Sequence, residues 1–386
     1  VVVSRAELEI IECAAGTDPL PAFERAWSRG ARVLPLSPSL PAVARERILA
    51  RASVAHCEPA PGVVLATSGS SGEPRLIDLS LDALRASAVL GARSVPFGPG
   101  DAWHTSLAPT HVGGLMIHMR ARVLGGAVLH GAPPRRWSDL DGATHVSLVA
   151  AQLGRLLEDS SAPPASLKAV LLGGGPSPQS LRDAAISRGV PLFATYGLTE
   201  TSSQVATGRL SVGDPATLAG PAIAGVALTV GEADEILVDG PVLARGELRD
   251  GAIVPLPRPY PTRDAGFIDT EGRVHIVGRL DSMFISGGRN IHPETIERAL
   301  ASIPEVRAAC VIGVPHERWG MRPVAFVDLA SRPARPLREA LRDMLEPHLV
   351  PDAVLAMPKS EADAMKPGRA RLGALHASGA AGPPIE

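Results

Sequence analysis

Lysine is almost missing from this 386-residue chain: Lys168, Lys359 and Lys366 stand alone beside a large excess of arginine. That bias makes each lysine worth inspecting. Cysteine is nearly as scarce, and Cys13, Cys57 and Cys310 are odd in number, widely spaced and without a paired-ligand pattern. They exclude a disulfide framework or structural zinc and point to a reducing cytoplasm. Charge of one sign is not in excess, since 38 basic residues face 40 acidic ones for a formal charge of -2. No polycation is available to neutralise a nucleic-acid backbone. No run reaches the ~18 apolar residues of a membrane span. The best stretch, Gly113 to Leu129, is broken by His118, Arg120 and Arg122, so a soluble protein without membrane insertion is expected. Val1 to Cys13 carries Arg5, Glu7, Glu9 and Glu12 and lacks the continuous apolar region of a secretion signal.

What is present is a folded composition. Gly and Pro are abundant at 39 and 37 residues, yet an apolar content of 45% and a charged content of 20% exclude wholesale disorder. The length suits two or three domains. From Val63 to about Val314, short β-branched runs alternate with helical patterns, which reads as α/β layering. Strands are expected at Val63–Thr67, Val146–Val149, Ala169–Leu172, Leu192–Thr195, Glu235–Val238 and Val274–Val277. Helices are expected at Leu81–Arg93 and at Pro178–Arg188, the latter capped by Ser177. Between Gly208 and Pro261 short strands separated by Gly and Pro predict a β-rich subdomain. After Gly278 the pattern restarts. A helix at Pro293–Ala301, strands at Ala308–Val314 and Val324–Val327 and a helix near Leu337–Leu345 predict a small α+β unit. The fold class is therefore α/β: a large layered domain over residues 1–279, a small α+β domain over 280–376, and a frayed tail over 377–386.

Chemistry enters with a Gly- and hydroxyl-rich loop directly after a predicted buried strand: Thr67, Ser68, Gly69, Ser70, Ser71 and Gly72, followed by Arg75. Such a loop can turn backbone N–H groups and hydroxyls onto phosphate oxygens. It lacks the Gly-Lys-Ser/Thr of a Walker A loop, and read alone it could be an ordinary surface loop. Two further segments follow predicted strands: Gly173-Gly174-Gly175-Pro176, and Tyr196-Gly197-Leu198-Thr199-Glu200-Thr201. Strand C-terminal ends are where open α/β sheets bind ligands. The glycines could lie against a nucleobase, Tyr196 could stack on it, Thr199 could reach a phosphate and Glu200 could hold magnesium. Asp264 could accept from ribose hydroxyls with Arg279 beside it, although Arg279 and Asp281 could equally form a surface ion pair.

In this order and spacing, the segments resemble the core motifs of the acyl-adenylate-forming superfamily of acyl-CoA synthetases, adenylation domains and luciferases. The resemblance covers roughly Val63 to Arg371. Within it, the segments Tyr196 to Thr207, Ala108 to Leu115, and Val146 to Val149 with Gln152 and Leu153 look like the branch of 2-succinylbenzoate–CoA ligases of menaquinone biosynthesis. The resemblance implies an AMP-forming acid–thiol ligase that uses ATP, Mg2+ and coenzyme A. It places the nucleotide on the 67–75 loop, Gly173 to Gly175, Tyr196, Gly197, Thr199, Asp264 and Arg279, and the acid near His111, Gly174 and Gln204. It implies catalytic roles for Thr199, Glu200, Arg279 and Lys366, a hinge at Asp281 that makes the small domain mobile, and a thiol-side loop at Gly287 and Gly288. A homodimer would be compatible with it. Two departures stand out. Arg75 replaces the family's lysine, and Met365-Lys366-Pro367-Gly368-Arg369 departs from its Gly-Lys-x-x-Arg pattern, so that either Lys366 or Arg369 fills the slot of the small-domain cation. Another acyl- or aryl-CoA ligase, or a non-adenylating binding protein, is the alternative.

Overall fold

The computed structural model describes residues 8–14, 16–52, 57–58, 60–68, 74–362, 368–382 and 384–385, with backbone alone at Ser68, Ser360 and Ala362. Its chain builds four sheets. The first runs in the order Leu8–Glu12, Arg32–Leu36, Gly62–Ser68, Pro74–Ser80, Gly246–Arg249, Ala252–Pro255, parallel across the first three strands and antiparallel after them. The second runs Ser203–Arg209, Leu192–Leu198, Ala169–Leu172, His145–Leu148, Ala102–His104, Ala127–Leu129, and only its first pair is antiparallel. The third is antiparallel throughout: Leu218–Pro221, Arg273–Arg279, Tyr260–Ile268, Glu235–Asp239, Ala227–Val230. It takes up part of the β-rich stretch foreseen between Gly208 and Pro261 and runs on to Arg279, whereas Gly246–Arg249 and Ala252–Pro255 of that stretch join the first sheet. The fourth sheet joins Arg289–Ile291, Phe284–Ser286, Gly320–Leu329 and Val306–His316, with Ala353–Ala356 parallel to Gly320–Leu329. Among the described residues no helix is long and apolar enough to cross a membrane.

Apolar burial fixes these layers. Leu65, Ile77 and Leu79 of the first sheet pack with Phe23, Leu84, Leu115 and Met116 of the covering helices. In the second, Val146, Leu148, Val170, Leu172 and Leu192 pack with Leu153, Leu156 and Ala185. Full burial of each such side chain is worth about 1.5–3 kcal/mol. Helix Leu81–Ser94 starts where Ser80 Oγ accepts from the Ala83 N–H at 3.0 Å, with Asp82 in its first turn.

Several expectations change. Helix Gln179–Ser187 begins after an extended Pro178, not at a Ser177 cap, because Ser177 Oγ is taken by the buried Arg182 guanidinium at 2.7 Å. Strand Leu192–Leu198 runs three residues further than expected because Ser203–Arg209 turns back to pair with it. Tyr196, Gly197 and Leu198 therefore lie in a strand, not in a loop beyond one. The tail is not frayed throughout: the Ile385 N–H donates to the Val354 carbonyl at 2.9 Å, and Pro384 pairs with Leu355.

The close pairing of Leu192–Leu198 with its return strand requires glycine at 197, where a Cβ would sit 1.8 Å from the Ser203 carbonyl oxygen. Gly197→Ala should cost about 3 kcal/mol by overpacking, read as a lower Tm in thermal unfolding. Gly373→Ala, in helix Arg369–Ala377 where a Cβ meets nothing within 4 Å, should be neutral or slightly stabilising. Equal Tm values for the two variants would contradict the packing argument.

Candidate active site

The two strands on either side of the hydroxyl-rich segment pair antiparallel. Thr67 and Arg75 face each other across strands Gly62–Ser68 and Pro74–Ser80, so both flank the loop's base. Gly69, Ser70, Ser71 and Gly72 lie outside the described residues. Arg75 lies against carboxylates: its Nη1 donates to Glu200 Oε1 at 2.8 Å, and its Nε donates to Glu247 Oε2 at 3.0 Å. Burial alone would weaken the charge on Arg75, but the two carboxylates hold its pKa above the ordinary value.

Glu200 follows strand Leu192–Leu198 in a single tight turn, Thr199–Thr201. Thr201 Oγ1 braces that turn, accepting from the Leu198 N–H at 2.9 Å and donating to the Ser203 carbonyl at 2.7 Å. Ser202 and Ser203 follow with φ of 50° and 96°, left-handed values that cost a non-glycine residue free energy. Helix Leu81–Ser94 supports the strained corner through Ser87 Oγ, which donates to the Ser202 carbonyl at 2.7 Å. Glu200 is 6% exposed. One carboxylate at a strand end fits magnesium chemistry, because that ion keeps waters and phosphate oxygens and takes few protein ligands.

Tyr196, Asp264 and Arg279 come together as expected. Asp264 and Arg279 are cross-strand partners, and Arg279 Nη1 donates to Asp264 Oδ1 at 3.1 Å. The Tyr196 hydroxyl donates to Asp264 Oδ2 at 2.7 Å. Burial pushes the Asp264 carboxyl above its usual range, with Arg279 opposing, and burial followed by the Asp264 charge pushes the Tyr196 phenol well up. The preceding Arg263 has φ of 64°, which turns Asp264 inward at this edge. Arg279 also grips the expected hinge: Nε and Nη2 donate to the two Asp281 oxygens at 3.1 and 2.9 Å. Arg279 thus pairs with Asp264 and with Asp281 at once, so the ion pair with Asp281 is present. Gly173 ends strand Ala169–Leu172 where a Cβ would strike Thr195 Oγ1 at 2.4 Å, and Gly174 follows with φ of 79°. Gly287 and Gly288 form the turn of hairpin Phe284–Ile291, with the Gly287 N–H donating to the Trp319 carbonyl at 2.9 Å. Lys366 lies outside the described residues, whereas Arg369 Nη2 is held by both Glu297 oxygens at 2.8 Å and by Glu294 at 2.9 Å.

Gln204 sits opposite Gly197 in the paired strands, directly beside the Tyr196 segment. Its Oε1 accepts from Arg120 Nη2 at 2.8 Å. Arg120, on helix Val112–Leu124, is 4% exposed, lies with its guanidinium 5.0 Å from the Trp103 ring centroid, and has no carboxylate within ion-pair distance among the described residues. Burial lowers its pKa to about 10, so it remains charged at neutral pH. A buried guanidinium that meets a neutral amide and an indole and, among the described residues, no carboxylate is costly and suits an anion. His111 stands at the N-cap position of the same helix nine residues earlier, about 14 Å along the axis. Arg120 and Glu247 were not anticipated. The only sequence signal for Arg120 was a charge breaking an apolar run, and for Glu247 there was none.

The family model of AMP-binding enzymes matches residues 59–248, and that of the AMP-binding enzyme C-terminal domain matches residues 295–363. A 2–succinylbenzoate–CoA ligase of Salmonella typhimurium is 38% identical over 76% of this chain and 64% of its own length. One from Bacillus cytotoxicus is 34% identical over 70% of this chain and 60% of its own. The chain therefore spans less than two thirds of these curated relatives. The structure of wild-type E. coli MenE with a bound m-phenylether-linked analogue of OSB-AMS is similar with a TM-score of 0.78 and 30% identity, covering 98% of this chain and 89% of that one.

Asp264→Asn should weaken AMP binding about 10- to 100-fold, as expected for losing charge-assisted hydrogen bonds, in isothermal titration calorimetry. Because burial disfavours the Asp264 charge, the fold should not be destabilised on that account. Unchanged AMP affinity would mean that Asp264 serves only the sheet.

Proposed function

This chain belongs to the family of AMP-binding enzymes, and we propose that it is an AMP-forming acid–thiol ligase that adenylates 2-succinylbenzoate and passes the acyl group to coenzyme A. The observation that carries the choice of acid is Arg120. The relatives' names supply the compound, and its two carboxylates supply the logic: one reacts with ATP, and the other neutralises the buried guanidinium beside Gln204. A monocarboxylic fatty acid would leave that charge unpaired at a cost of several kcal/mol.

The geometry supports the following course for that reaction. The reacting carboxylate attacks the α-phosphorus of ATP and pyrophosphate leaves, so negative charge grows on the phosphate oxygens. Thr199, the N–H groups of the 67–75 loop and a small-domain cation would stabilise that charge. Magnesium, held by Glu200 and the phosphates, would neutralise the triphosphate. Tyr196, Asp264 and Arg279 would orient the nucleoside, and the Gly173 to Gly175 turn would lie against the base. Arg369 is already committed to Glu297 and Glu294, which supports Lys366 as the cation. Rotation about Asp281 would then withdraw Lys366 and bring the Gly287-Gly288 turn to the thiol, whose attack on the acyl carbonyl releases AMP.

In ATP–pyrophosphate exchange, 2-succinylbenzoate should far outperform benzoate or medium-chain fatty acids. Arg120→Met should raise the KM for 2-succinylbenzoate at least 10-fold while leaving AMP affinity near wild type. A wild-type preference for a fatty acid would overturn the assigned substrate. Lys366→Ala should nearly abolish exchange yet spare thioester formation from supplied acyl-adenylate, and intact exchange in that variant would remove Lys366 from adenylation.

A further inference from the structure

The Arg75 cluster holds more than the reaction above uses. Glu247 is a buried carboxylate, 3% exposed, on strand Gly246–Arg249, which pairs with the strand that carries Arg75. A single oxygen of it, Oε2, takes Arg75 Nε and Nη2, each at 3.0 Å, and Arg249 Nη2 at 2.7 Å. Arg75 meanwhile spends its remaining Nη1 on Glu200 at 2.8 Å. Two cations and two carboxylates balance, and Arg75 is the shared member. The planar fork of arginine permits this division, since one edge can stay docked while the other end exchanges partners; the point charge of lysine cannot be split so.

A conflict follows for the reading in which Glu200 binds magnesium. While Arg75 Nη1 holds Glu200, that carboxylate is partly neutralised and less able to bind a cation. We propose that Glu247 is a positioning residue for the metal step: it anchors the Nε–Nη2 edge of Arg75, so that Nη1 can release Glu200 to magnesium and turn to a phosphate oxygen without the guanidinium leaving the site. In this role Glu247 would touch neither metal nor nucleotide. It acts by competing with Glu200 for Arg75, and Arg249, whose side chain is 53% exposed, weakens that competition by sharing the same oxygen. The proposal rests on the assignment of Glu200 to magnesium.

The test is calorimetric titration of the full chain with ATP at a series of magnesium concentrations, without acid or coenzyme A, and with AMP in the absence of metal. Glu247→Gln should tighten the Arg75–Glu200 pair and raise the magnesium concentration for half-maximal ATP affinity about 10-fold, with AMP affinity unchanged. Arg249→Met should shift it in the opposite direction by a few-fold, because Glu247 then serves Arg75 alone; this exposed substitution keeps the test valid if Glu247→Gln fails to fold. In an Arg75→Lys background the Glu247→Gln shift should largely disappear. Wild-type magnesium dependence that neither variant moves would overturn the positioning role alone. Wild-type ATP binding that ignores magnesium would overturn the Glu200 assignment, and this proposal with it. Parallel losses of AMP and ATP affinity in Glu247→Gln would identify a merely structural carboxylate.

Discussion

Three sheets of the large domain meet at one guanidinium. Arg75 and Glu247 come from the first sheet, Glu200 from the turn that leaves the second, and the Tyr260 hydroxyl, lying against both Arg75 and Glu200, from the third. Burial and the nearby Glu200 charge push the Tyr260 phenol upward, so it stays a neutral hydrogen-bonding group at this junction. Neither carboxylate is more than 6% exposed, and burying either of them without the cation would cost several kcal/mol. The paired charges thus fix the relative placement of the hairpin that bears the hydroxyl-rich loop, the strand end that bears Tyr196, and the sheet that bears Asp264.

The second feature is adjacency. Gln204 faces Gly197 across a strand pair so close that no Cβ fits between them, and this puts the Arg120 guanidinium next to the segment of the proposed nucleotide site. An acid anchored by one carboxylate at Arg120 would present its other end toward the phosphates with little freedom to lose, which is how positioning lowers a bimolecular barrier. Trp103 packs against the guanidinium, with its own Nε1 donating to Ser147 Oγ at 3.2 Å.

Much of this was legible in the sequence because it is local. Strand Ala169–Leu172 appears with its expected bounds, since a four-residue apolar run buried on both faces has few other uses. Asp264 and Arg279 are 15 residues apart on neighbouring strands, a separation that a hairpin brings together. What stayed hidden is nonlocal or breaks a local rule. Arg75 and Glu247 are 172 residues apart. The corner at Ser202 and Ser203 uses positive φ where the sequence offers no glycine, so the return strand and the true end of Leu192–Leu198 could not be seen. Arg120 reads as an interruption of an apolar run until Trp103 and Gln204 are placed around it. Ser177 fits the pattern of a helix cap, yet a buried arginine outcompetes the helix N-terminus for its hydroxyl.

The central claim is that one chain activates an acid as an adenylate and then transfers it to a thiol. Mass spectrometry of a single-turnover mixture of the full chain, magnesium, ATP and 2-succinylbenzoate, quenched before and after coenzyme A is added, tests it most directly. The expected result is acyl-adenylate and pyrophosphate in amounts matching the protein before the thiol is present, converted to AMP and the coenzyme A ester after it. Release of ADP and phosphate, or no adenylate until coenzyme A arrives, would contradict it.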